Sequence, residues 1–140
     1  MPARSALQPA STRPVDEKIT INLGVVDLGQ IDLLVQEGFY ANRTDLIRSA
    51  IRNQLAGHAD VVRQVVARKT LVLGIQQFTA DDLRAVKAAG QRLDIRVLGL
   101  AVIAPDVTPA LALATIESLT VLGALHASPA VKTALRPRMR

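Results

Sequence analysis

KITINLG, residues Lys18 to Gly24, alternates without a break: Lys18, Thr20 and Asn22 share one side, and Ile19, Ile21 and Leu23 share the other. A period of two is the pattern of a strand with one wet face and one dry face. This strand stands alone. A proline-containing polar stretch precedes it, and a helical pattern follows at once. A single strand cannot satisfy its own backbone groups or bury its own apolar face. Its partner therefore has to come from elsewhere.

Downstream, VVDLGQIDLLVQEGFY (residues 25–40) sets Leu28, Ile31, Leu34 and Val35 at helical spacing. Asp27 is the expected N-cap, Gly29 weakens the helix near its start, and Gly38 suits its C-terminal end. NRTDLIRSAIRNQLAGH (residues 42–58) predicts a second helix. Asn42 followed by Asp45 gives a box-like start, with Asp in place of the usual Glu or Gln. Leu46, Ile47, Ala50, Ile51 and Leu55 form its apolar stripe, and Gly57 marks its end. A strand and two helices in about 40 residues hold too little core to stand alone. Two copies pairing their strands as an antiparallel ribbon would remove both difficulties. Ile19, Ile21 and Leu23 would lie on the helices of both copies, with Lys18, Thr20 and Asn22 outside. Such a ribbon fits the DNA major groove, where base edges carry a full donor and acceptor code.

EKITINLGVVDLGQIDLLVQEGFYANRTDLIRSAIRNQL, roughly residues 16–56, resembles a ribbon-helix-helix domain of the MetJ/Arc/CopG type. The order of features carries the resemblance: alternating strand, helix, Gly-aromatic turn, NRTDLIR, helix. It implies that the outward strand residues Lys18, Thr20 and Asn22 read bases. It also implies that the start of the second helix, Asn42, Arg43 and Thr44, holds a phosphate. The chemistry agrees. Lys donates to guanine, Asn pairs bidentately with adenine, and Thr bonds a base edge or touches a thymine methyl. Backbone amides at a helix start face an anion. Without the two helices behind it, Lys18–Asn22 would read as an ordinary solvated edge strand. Helix capping at Asn42 is compatible with a phosphate contact. Arg48 and Arg52 read as a solvated helix face more than as base readers.

Composition narrows the function. The chain of 140 residues is 49% hydrophobic but only 2% aromatic, so its core is aliphatic. It has no cysteine, which removes disulfides, thiolate metal sites and cysteine nucleophiles and suits a reducing compartment. The formal charge is +5. It is spread thinly, with a net +2 in residues 1–70 and +3 in residues 71–140. DNA affinity would then depend on placement and on dimerisation more than on bulk charge. Arg4 and Arg13, on a Pro/Ser/Ala-rich arm expected to be flexible, would add loose phosphate contacts. The arm has no continuous apolar stretch, so it does not read as a secretory signal. The longest uncharged run, Ser118–Val131, is shorter than the roughly 18 residues a membrane span needs. The protein is expected to be cytoplasmic, with no membrane partner. His58 and His126 have no carboxylate at ligand spacing, and Asp81-Asp82 reads as first-turn acids. With no phosphate loop or nucleophile motif, no enzymatic activity, metal or cofactor is expected.

The second half repeats. Val-Leu-Gly recurs at residues 72, 97 and 121. A helix-start signal follows each time: Thr79, then Thr108-Pro109, then Ser128-Pro129. Each unit reads strand, loop, helix, which predicts a short parallel sheet with helices on its other side. The logic resembles that of leucine-rich repeats, but the asparagine-ladder position of that family is missing. HADVVRQVVARKT would be a helical connector, with Val61, Val62, Val65 and Val66 on one side. The segment lacks the convergent polar groups expected of a small-molecule pocket.

The expected fold is α+β: an N-terminal ribbon-helix-helix dimerising domain followed by a short α/β solenoid-like repeat with a parallel sheet. The expected layout is an arm over residues 1–16, a DNA-binding domain over 17–57, a connector over 58–70, three strand–helix units over 71–135 and a basic tail over 136–140. The expected function is that of a homodimeric, sequence-specific transcriptional repressor bound to double-stranded DNA. Residues 71–135 would serve oligomerisation or a protein partner. An antitoxin with a toxin-binding second half is one alternative. A plasmid-partition or chromosome-organising protein assembling through the repeats is another.

Overall fold

The structure, a computed structural model, describes residues 16–140 and divides into two units, residues 16–65 and 66–140. Among the described residues the sheet is three-stranded and parallel, so the fold is mixed α and β.

In the first unit, Asp16–Gly24 is in neither helix nor strand within the chain. Helix α1 spans Val25–Gln36 and α2 spans Arg43–Ala56. The N-cap of α1 is Gly24, not Asp27, which sits in the first turn. An aspartate has two favourable places at a helix start, as cap and as first-turn anion facing the dipole, and here it takes the second. Gly38, at φ +87°, ends α1: its amide reaches the Val35 carbonyl, and the Phe39 amide reaches Leu34. That paired closure needs a left-handed residue, the conformation glycine adopts without strain. Helix α3, Ala59–Lys69, follows the Gly57-His58 turn and contains the boundary between the units, at Val65 and Val66.

The second unit holds β1 (Val72–Phe78), α4 (Ala80–Ala88), β2 (Leu93–Ile103), α5 (Pro109–Thr115), β3 (Ile116–His126) and α6 (Pro129–Leu135), then a 3-10 turn at Arg136–Arg138. The three helices start at Thr79, Thr108 and Ser128, and each of these hydroxyls accepts an amide from three residues on. Thr79 and Asp82 complete a full capping box. The sheet order is β1-β2-β3, with Val72, Val97 and Val121 in register, then Leu73, Leu98 and Leu122, then Gly74, Gly99 and Gly123. Between α5 and β3 there is no loop: Thr115 ends the helix and Ile116 begins the strand.

The core lies on one side of this sheet. Ile95, Val97, Ala101 and Ile103 of β2 are buried, together with Leu83 of α4, Ala112 of α5, and Val131 and Leu135 of α6. The intervening positions Leu98, Leu100 and Val102 are only half-buried. Successive residues of a strand face opposite ways, so the helices cover one face and leave the other open. The chain's last residues lie along β3, where Met139 bridges Leu119 and the Arg140 amide donates to the Leu119 carbonyl at 2.9 Å. Arg138 closes the end of α5, donating to the carbonyls of Leu113 at 2.5 Å and Ile116 at 2.7 Å.

A row of glycines crosses the sheet in register. All three glycines have positive φ, +125°, +137° and +120° at Gly74, Gly99 and Gly123. A Cβ on Gly99 would meet the Gly74 carbonyl, its carbon only 3.1 Å away; a Cβ on Gly123 would run into Gly99 in the same way. A Cβ on Gly74 would meet nothing within 4 Å. Gly74→Ala should therefore lose only the conformational strain, about 1–3 kcal/mol. Gly99→Ala and Gly123→Ala should lose distinctly more. Denaturant unfolding of the three variants checks the order, and equal losses at all three positions would show that the strand spacing does not depend on the missing side chains.

Candidate nucleic-acid interface

The start of α2 is built by its own sequence. Asn42 has extended backbone, and its Oδ1 accepts the Asp45 amide at 2.8 Å. The Asp45 carboxylate turns back and accepts the Ala41 amide at 2.9 Å, one residue before the position of a standard capping box. The next amides, those of Arg43 and Thr44, open the helix and have no acceptor within it. Asn42, Arg43 and Thr44 are all exposed. The structure thus gathers the predicted phosphate group at one exposed helix start. Lys18, Thr20 and Asn22 are exposed in the segment before α1, as are Ile19, Ile21 and Leu23 between them. Arg48 and Arg52 are exposed on α2. Arg4 and Arg13 lie outside the described residues.

Arg43 is already engaged. Its Nε donates to Asp32 Oδ1 at 2.7 Å and its Nη2 to Asp32 Oδ2 at 2.8 Å, a bidentate fork tying α2 to α1. The hydrogen bond from Arg43 holds the Asp32 carboxyl below its ordinary range, and Asp32 raises the guanidinium in return. Asp32 is the residue the sequence reading missed. It lies eleven positions from Arg43, so no spacing rule within one helix pairs them.

The sheet unit carries a second concentration of polar groups. A cleft of about 810 Å³ is lined by Lys69, Asp94, Arg96, Ser118, Thr120 and Arg140 among others. Asp94 accepts from the Ser118 hydroxyl and from Arg96 Nε at 2.9 Å, and Arg96 also reaches the Lys69 carbonyl at 3.0 Å. Ser118 first, then Arg96, holds the Asp94 carboxyl below its usual range. The expectation that this half lacks convergent polar groups is corrected here. The groups come from four separate stretches of chain, and only the fold assembles them.

The chain matches the Ribbon-Helix-Helix transcriptional regulator family over residues 14–132, and it belongs to that family. Membership makes it a DNA-binding regulator of transcription. The match runs through both units, so it takes in all three strands of the parallel sheet as well as the two helices of the first unit. No curated protein and no solved structure matches the chain. No helix among the described residues is long and apolar enough to cross a membrane.

The lowered Asp32 and Asp94 carboxyls predict an acid limb in the stability. A carboxyl whose pKa is lower folded than unfolded stabilises fully above the unfolded value, and that contribution is lost as pH falls through the folded one. Thermal melts from about pH 6 to about pH 3 should show a shallower acid decline for Asp32→Asn and for Asp94→Asn than for wild type. A slope identical to wild type in either variant would mean that its carboxylate contributes nothing to the fold.

Proposed function

We propose that the protein works as a homodimeric repressor whose paired Lys18–Gly24 strands enter the major groove. One observation carries the reading: no residue between Asp16 and Val65 is buried by its own chain. Ile19, Ile21 and Leu23 are exposed, and so are Leu33, Leu34, Phe39, Ile51 and Leu55 on and after the helices. A ribbon shared by two copies gives these side chains one common core. That pairing turns Lys18, Thr20 and Asn22 outward as base readers, and leaves the amides of Arg43 and Thr44 facing a phosphate. Asp32 holds Arg43 at the helix start and cancels much of its charge, which makes Arg43 a positioned donor more than a free cation. The packed core of the second unit speaks against the antitoxin alternative, in which a tail without a core orders only on its target.

Binding of the full chain to its own upstream DNA and to scrambled DNA, over a series of salt concentrations, tests this. The triple variant Lys18→Ala, Thr20→Ala, Asn22→Ala should lose discrimination, about 1–3 kcal/mol per good base contact, and remain a dimer. Arg43→Ala should weaken binding evenly across sequences and flatten the salt slope by less than the roughly one unit of a free cation, because Asp32 already offsets part of its charge. If the triple variant still prefers its operator, the ribbon does not read bases. If Arg43→Ala changes the preferred sequence and not the slope, the two roles are assigned the wrong way round.

The dimer has its own test. Ile21→Lys puts a charge into the shared core, and sedimentation should then find a monomer with less helix by circular dichroism. A variant that stays dimeric and fully helical would show that the shared core lies elsewhere.

A further inference from the structure

The open face of the parallel sheet is aliphatic across its whole width. Leu73, Leu98 and Leu122 form one rung in register, and Ile75, Leu100 and Ala124 form the rung two residues on. Leu73 is 67% exposed, Ile75 61% and Leu122 52%. No charged side chain interrupts either rung. Polar residues begin just beyond, with Arg96 and Thr120 at one end and Gln77 at the other. An apolar centre with a polar rim is how a docking surface is built.

We propose that this face packs against the same face of the second copy within the dimer, sheet against sheet, about a two-fold axis. The proposal rests on the dimer reading above. Size argues for this occupant. Two rungs on three strands cover about 15 Å by 14 Å, on the order of 200 Å². A stable complex between free proteins needs about 800 Å² from each partner. The aliphatic centre therefore supplies only part of what two free proteins would need. It suffices for a partner already tethered, for which the effective concentration is on the order of millimolar. The second copy, joined through the ribbon, is that partner. Its chemistry also fits, because an aliphatic face is complementary to a second copy of itself.

The absence of cysteine makes the test direct. Leu98→Cys, at the centre of the face, and Lys87→Cys, exposed on α4, are made separately in the full chain. Each is treated with a short bismaleimide, and sedimentation fixes the resting mass. Facing sheets lie about 10 Å apart, within the reach of such a reagent. The expected result is a dimer in which Leu98→Cys crosslinks to twice the chain mass with a yield independent of concentration, while Lys87→Cys does not crosslink. Adding Leu73→Lys and Leu122→Lys should abolish the crosslink without dissociating the dimer. A Leu98→Cys dimer whose introduced thiol reacts freely and does not crosslink overturns the proposal and leaves the ribbon dimer standing; some other partner, or none, then covers the face. A yield that rises with concentration places the contact between dimers and overturns it in this form. A monomeric resting mass overturns the dimer reading and this proposal with it.

Discussion

Ile19, Ile21, Leu23, Phe39 and Leu55 all belong to the first unit, and their own chain buries none of them. Full burial of one such side chain is worth about 1.5–3 kcal/mol, a large fraction of the stability of any small domain. The first unit keeps its helices through local devices: the Gly38 closure, the Asn42 cap and the Asp32–Arg43 fork. These orient two helices but do not fill a core. Under the dimer reading, the missing core and the DNA-reading surface are made in one event. The strand that closes the core turns Lys18, Thr20 and Asn22 outward as it does so.

The second unit meets the opposite condition. It has a buried core of its own, with Leu83, Val97, Ile116, Leu119 and Leu135 fully enclosed. Its helices lie on one face because each strand–helix unit has the same order of signals, a Val-Leu-Gly strand and then a hydroxyl cap. Gly74, Gly99 and Gly123 lie in a row, in register and with positive φ, and at Gly99 and Gly123 a Cβ would be aimed into the neighbouring strand. The same register lines up the leucines beside that row, which leaves the side away from the helices apolar.

What the sequence revealed follows from the range of the physics involved. Caps are local, and Asn42, Thr79, Thr108 and Ser128 all accept the amide three residues on. Parallel pairing of the Val-Leu-Gly segments was legible because near-equal spacing permits one register. Asp27 was misplaced because an acid near a helix start serves equally well in two positions. The Asp32–Arg43 fork and the Asp94 cluster escaped notice for a different reason. Their members are brought together by a turn or by strand stacking, and neither relation leaves a periodic mark. The direct passage from Thr115 to Ile116 was hidden as well, since no glycine or proline stands between ALALAT and IESLT.

Asp32 also bears on how affinity and specificity divide. A free arginine at the start of α2 would attract any phosphate from a distance and strengthen binding to all DNA alike. Forked to Asp32, Arg43 contributes little long-range field, and the first unit has a modest net charge to begin with. Discrimination depends on the difference between operator and bulk DNA, not on absolute affinity. Under the proposed reading, pairing Arg43 with Asp32 lowers the non-specific term, while Lys18, Thr20 and Asn22 would keep the specific one. Under the dimer reading this effect is reinforced, because DNA that binds only the paired form would draw the monomer–dimer equilibrium toward pairing by mass action. If the ribbon dimer forms as proposed, a chain whose first unit lacks a core when alone presents its reading surface only in the state that can use it.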